Sequence, residues 1–193
     1  MAATAAGRSM PAPAPELVTE LAALDEVLDA HAAAIGRDLD GYRNHAYRVA
    51  NFCLALAPGD AEVRDRVALA AAFHDLGIWT DGTFDYLEPS VRAAMLHLAA
   101  TGRSGWTPEI AVMIREHHKI TAWRGPHARL VEPFRKADWV DVSWGLVAHG
   151  LPRSFLAAAF ARWPDRGFHW RLVRLALSRL RRHPLSPLPM LRL

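Results

Sequence analysis

The residues best placed to do chemistry in this chain are histidines and carboxylates set inside apolar sequence. His45 falls on a helical stripe with Tyr42, Ala46, Val49 and Ala50. A buried imidazole needs a hydrogen-bond partner or a metal. Further on, the apolar run from Val67 to Phe73 ends in His74 and Asp75, followed by Leu76 and Gly77. Adjacent helical side chains diverge by about 100°. Both can still reach one ion placed off the helix end, because the chain turns at Gly77. A third apolar stretch, Ile110 to Ile114, runs into Glu116, His117, His118 and Lys119. A fourth carries Asp138 on one face with Phe134, Ala137 and Val142, and Asp141 lies on nearly the same face. Carboxylates at that depth are costly without a compensating cation. Taken singly, each residue has an ordinary reading as a satisfied core histidine or a hydrogen-bonded helix end. Taken together, the buried acids ask for a cation.

Helices are the elements that must position these groups. Leu17, Leu21, Leu24, Val27 and Leu28 recur at helical spacing over 16–35, and a second stripe covers 40–57. Pro58–Gly59 stops the second helix, and Asp60 can cap the next, over 61–76. Residues 77–88 read as a loop. Further helices are predicted over 89–101, 108–120, 128–148, 152–162 and 167–182, with Thr107 and Pro108 forming a helix start. No alternating strand pattern competes. The expected fold is all-α, a compact single-domain bundle of about seven or eight helices. It should span 16–183. An Ala/Pro-rich flexible leader, 1–15, precedes it, and a Pro-rich tail, 184–193, follows.

Composition narrows the class. The chain has 193 residues, 51% hydrophobic and 22% charged, which is globular rather than disordered or fibrous. Cys53 is the sole cysteine, so an intramolecular disulfide is excluded. No apolar run is long enough for a membrane span, and the N-terminus lacks the apolar stretch of a secretory signal, so a cytoplasmic address is expected. There is no Gly-rich phosphate loop, no GxSxG elbow, and no zinc-finger spacing around Cys53. The net charge of +3 hides an asymmetry: residues 151–193 are rich in arginine and contain a single acid, Asp165. Such a segment suits phosphate, nucleic acid or an acidic membrane surface, or simply a solvated helix face.

The order His45, His74–Asp75, Asp138 on successive apolar helices resembles the HD-domain superfamily of metal-dependent phosphohydrolases. HDLG after an alanine-rich helix and the KAD of 136–138 strengthen the likeness, which covers roughly residues 40–145. The resemblance implies an all-α bundle with a metal-site core at 40–145 in which His45, His74, Asp75 and Asp138 hold one ion, and their neutral nitrogen and hard oxygen suit Mn, Fe, Ni, Co, Zn or Mg without choosing among them. Where members hold two, His97 and His118, with His117 as the alternative to His118, are the further candidates and Asp75 would bridge. Asp141 is expected to orient a ligand.

The implied activity is hydrolysis of a small phosphorylated compound, such as a nucleotide, by a metal-activated water. Glu88, His117 and His118 are the candidates for moving the proton, and Lys119, Arg115 and Arg124 for holding phosphate. Trp79, Trp123 and Tyr86 are candidates for walling the pocket. His31, His127, His149 and His183 are expected to lie outside the site.

The sequence departs from the family pattern in two places. Many members carry a lysine where Ile78 stands, and a histidine near the segment Leu87–Ser90, where Glu88 could occupy the space. Cyanamide hydratase and related proteins similarly lack these accessories. The same cradle could therefore hydrate a nitrile-like molecule or, with two irons, activate oxygen. A third reading keeps the metal as a structural staple and gives binding to the basic helix Trp170–Arg182, with nucleic acid the less favoured partner.

Overall fold

A computed structural model describes residues 15–182. The predicted leader, apart from Pro15, the predicted tail and His183 lie outside the described residues. The described chain is all-α. Its helices are α1 (Ala22–Ala30), α2 (Ala32–Ile35), α3 (Leu39–Leu56), α4 (Ala61–Phe73), α5 (Gly77–Thr80), α6 (Leu87–Ala100), α7 (Thr107–Glu116), α8 (Ala128–Val142), α9 (Arg153–Arg162) and α10 (Phe168–Arg182), with short 3-10 turns at Gly36–Asp38 and Ser104–Trp106. α2 and α5 are single turns, which leaves eight longer helices.

The centre of the bundle is α3, which packs along α8 and against α4; α1 covers α4, and α6 pairs with α7, which packs on α8. The alanine-rich end of α4 permits close approach: Ala68, Ala70, Ala71 and Ala72 are all buried. Asp60 caps α4 as expected, accepting from the Val63 N–H at 3.0 Å. Gly77 is required by proximity, because a Cβ there would stand 2.5 Å from the Tyr86 carbonyl oxygen. That absence of a side chain lets Tyr86–Ser90 pass directly over the turn that carries His74 and Asp75.

Several predicted boundaries move, each for a local reason. Residues 16–21 are not helical, although the pattern there predicts a helix from 16. Buried groups of α3 take over their backbone bonds instead. Asn51 accepts from the Val18 N–H at 2.7 Å and donates to the Val18 carbonyl at 3.1 Å, and the Tyr47 hydroxyl accepts from the Leu21 N–H at 3.2 Å. α4 ends at Phe73 rather than 76, and α7 at Glu116 rather than 120, so both histidine-bearing motifs sit just past helix ends. The predicted 77–88 loop contains α5 and the start of α6. α7 begins at Thr107, which makes Pro108 its second residue. α8 ends at Val142 rather than 148, because Trp144 and Gly145 turn left-handed, at φ 55° and 72°. The Gly145 N–H then closes the helix on the Val140 carbonyl at 2.7 Å.

Candidate metal centre

Four segments converge in the interior. α3 supplies His45, the turn after α4 supplies His74 and Asp75, the end of α7 leads into His117 and His118, and α8 supplies Asp138. Ligand-type atoms of three overlapping trios, His45/His74/Asp138, His74/Asp75/His117 and His117/His118/Asp138, lie within 4.8 Å of one another. α4 and α7 both aim their C-terminal ends at this cluster, and the partial negative charge there favours a cation.

Hydrogen bonds fix how the rings face. His74 donates from Nδ1 to the Ala71 carbonyl at 2.8 Å, and His117 donates from Nδ1 to the Ile114 carbonyl at 2.7 Å. His45 donates from Nδ1 to Asp141 at 2.6 Å. Each ring therefore turns its Nε2 lone pair inward. The Nε2 atoms of His45 and His74 stand 2.9 Å apart. Two lone pairs at that distance repel unless a cation lies between them. Burial pushes His74 down to about 4, so its own Nε2 is unprotonated at neutral pH.

The two carboxylates divide the cluster into halves. Oδ2 of Asp75 lies 3.8 Å from His45 Nε2 and 3.6 Å from His74 Nε2, while its Oδ1 faces His117 Nε2 at 3.5 Å. Asp138 does the same, with Oδ1 3.7 Å and 3.9 Å from those two histidines and Oδ2 3.2 Å from His118 Nδ1. Donors bound about 2.1 Å from a shared ion stand roughly 3.0–3.4 Å from each other. The observed spacing fits that requirement with small adjustments. Asp75 Oδ1, His117 Nε2 and both Asp138 oxygens are buried without a hydrogen-bond partner. Such orphans are rare in folded proteins and call for a partner. The residues present therefore fit a divalent metal.

Burial alone would raise both carboxyls, but neighbouring histidines outweigh it and hold Asp75 and Asp138 below the usual carboxylate range. Burial would lower His118, but the adjacent Asp138 outweighs it and the imidazole is raised. His118 also meets the Tyr86 hydroxyl at 2.7 Å through Nε2. It is the one member of the cluster that reaches solvent, with its side chain 14% exposed.

Behind the ligand atoms lies a support that sequence reasoning named only through Asp141. Arg48, fully buried on α3, forks onto the Asp141 carboxylate through Nε and Nη2 and donates from Nη1 to the Trp163 carbonyl at 2.6 Å. The available signal was a charged residue three positions after His45 within an apolar stripe. Tyr42 steadies the other side: its hydroxyl donates to the Ala72 carbonyl at 2.8 Å and accepts from the Asp75 N–H at 3.3 Å. Phe168 stacks on His45 with ring centres 4.2 Å apart, and His169 reaches the Asp141 carbonyl at 3.0 Å.

Other candidates stand elsewhere. His97 does not join the cluster; it is half-buried on α6 with its ring against Phe73, because its position on that helix turns toward α4's flank. Glu88 and Arg115 engage each other in a two-pronged pair at 2.7 and 2.9 Å. Arg124 is exposed, and Lys119 is half-buried next in chain to His118. Trp79 donates to Asp38 at 3.0 Å and packs on Tyr42, so it backs the site rather than lining it. Trp123 lies in the 119–127 segment, bound to Glu132 and the Pro126 carbonyl. Ile78 is buried in a small apolar cluster with Tyr86 and Leu87.

These features define a helical protein with a buried histidine–carboxylate centre. The HD-domain family model matches residues 42–143, more than half of the chain, and the chain belongs to that family. No curated protein and no solved structure gives a significant match.

Proposed function

We propose that this protein is a metal-dependent hydrolase acting on a small phosphorylated compound. The observation that carries the reading is the set of buried, unpartnered ligand atoms on Asp75, Asp138 and His117, facing the inward Nε2 atoms of His45 and His74. In this reading His45, His74, Asp75 and Asp138 hold one ion. His117 and His118, with the far oxygens of the two carboxylates, offer a second place. A bound divalent ion would supply Lewis acidity and an activated water.

The chain's own residues would do the rest. His118 is the solvent-reaching member: its Nδ1 stands 3.2 Å from the Asp138 carboxylate and its Nε2 meets the Tyr86 hydroxyl at the mouth of the centre. That suits it to protonate a leaving oxygen. Glu88 is a weaker candidate, because Arg115 already claims both of its oxygens. Lys119, adjacent to His118, is the nearest cation in sequence for an anionic substrate. The apolar setting of Ile78 means that the charge many relatives place there must come from elsewhere.

The buried Ile78 also favours a second reading, hydration of a small neutral nitrile. The two-iron oxygenase reading drew on His97 and His118 as paired ligands, and His97 stands outside the cluster. The deciding experiment has two stages. Elemental analysis of protein purified without chelator or immobilised nickel should find a transition metal. The loaded protein should then release phosphate from a panel of phosphomonoesters and nucleotides. Hydration of cyanamide without phosphate release would select the second reading. A chain that neither carries nor takes up metal would sink both.

A further inference from the structure

We propose that the outer face of α10 docks this protein onto anionic membrane surfaces. α10 is fastened to the body by one side only: Phe168 is buried, while Leu172 and Leu175 pack on the cluster of Ile78, Tyr86 and Leu87. The opposite side carries a second apolar stripe. Trp170, Val173, Leu177 and Leu180 recur at alternating steps of three and four residues and are 42% to 58% exposed. Steps of that kind keep side chains on one face of a helix. Among the described residues nothing covers this stripe. Trp144, Leu146 and Val147, also exposed, extend the apolar surface at the start of the helix, where Trp144 stacks on His169 at 4.4 Å.

Charge identifies the occupant. α10 contains five arginines and no acid, and the exposed Arg174 and Arg181 border the stripe, Arg174 lying over the Trp170 ring at 5.8 Å. A second copy of the same face would set arginine against arginine with no carboxylate on the helix to offset it. A polynucleotide would satisfy the arginines but gain nothing from Val173, Leu177 and Leu180. An anionic bilayer satisfies both halves: acyl chains take up the leucines and valine, phosphates meet the guanidiniums, and tryptophan favours the boundary between them. The helix would lie in the surface rather than cross it. No helix among the described residues is long and apolar enough to span a membrane.

The test is flotation of the full chain with vesicles of phosphatidylcholine mixed with phosphatidylglycerol, and with phosphatidylcholine alone. The expected result is binding to the mixed vesicles, weakened by salt, with a blue shift of tryptophan emission. Leu177→Asp should reduce that binding about tenfold while the melting temperature and metal content stay unchanged, because Leu177 is half exposed. Arg174→Gln combined with Arg181→Gln should remove the preference for phosphatidylglycerol. Absence of vesicle binding, or binding indifferent to Leu177→Asp, overturns the proposal. So does a dimer that Leu177→Asp dissolves, or RNA binding that outcompetes the vesicles and ignores that substitution.

Discussion

Arg48 and Asp141 form a fully buried ion pair whose carboxylate also receives the Nδ1–H of His45. The pair sets the tautomer of a candidate ligand from behind. Asp141→Asn should therefore act twice. It strands the Arg48 guanidinium in the interior, at a cost of about 3–5 kcal/mol. It also loosens the orientation of His45, which should weaken metal binding about 10- to 100-fold. Thermal denaturation of the metal-free protein reads the first effect, and metal titration reads the second. An unchanged metal affinity would remove Asp141 from its positioning role.

Asp75 presents one oxygen to each half of the cluster. Asp75→Ala should abolish metal retention altogether, where loss of a one-sided ligand would only weaken it. Full metal content in that variant would disprove the assignment of the centre.

Metal should also be a stabiliser. A ligand that binds only the folded chain at about 100 times its Kd adds about 2.7 kcal/mol. Chelation should lower the melting temperature accordingly, and re-addition should restore it. Asp138→Asn removes the carboxylate that faces His45, His74 and His118. Metal should then give that variant little or no rise.

His97→Ala and His31→Ala should keep metal content and turnover, because both rings pack against Phe73 outside the cluster. His118→Ala should instead retain metal in the His45–His74 half and lose turnover steeply. Equal losses from His97→Ala and His118→Ala, measured as kcat, would contradict this division.

Glu132 gives a pH signature away from the centre. Burial would raise its carboxyl, but hydrogen bonds from Arg135 and the Trp123 N–H hold it at about 2, against 4.5 unfolded. A depressed folded value means the stabilisation is complete above pH 4.5 and is lost as pH falls toward 2. The pair is partly solvated, so about 1–2 kcal/mol is at stake. Glu132→Gln should lower stability at pH 7 by that amount and flatten its acid limb. A parallel shift at all pH values would show that the charge is not responsible.

The all-α class was legible in sequence because helical periodicity is a local pattern, whereas the gathering of His45, His74, Asp75 and Asp138 was implied by their ordered likeness to a family pattern, each alone reading as an ordinary buried polar residue. His97 shows the limit of that logic. It too sits in an apolar helix, but the rotation of α6 about its own axis decides which way it faces, and spacing along the chain does not encode that rotation. Arg48 was masked by its own stripe, since a long side chain can belong to a core only when a distant partner such as Asp141 meets it. The non-helical segment before Leu21 was hidden because its backbone partners, Asn51 and Tyr47, lie on another helix.

The shared family pattern stops at residue 143, yet the centre it contains is completed from outside it. Arg48 needs the Trp163 carbonyl, His45 lies under Phe168, and α3 is sealed at its other side by Val18 and Leu21. A fragment trimmed to the family boundary would carry every candidate ligand and still have a guanidinium without one of its acceptors and an imidazole open to water. A piece cut at the family boundary therefore lacks contacts that this centre uses, and expression designs should begin before Val18 and run beyond His169.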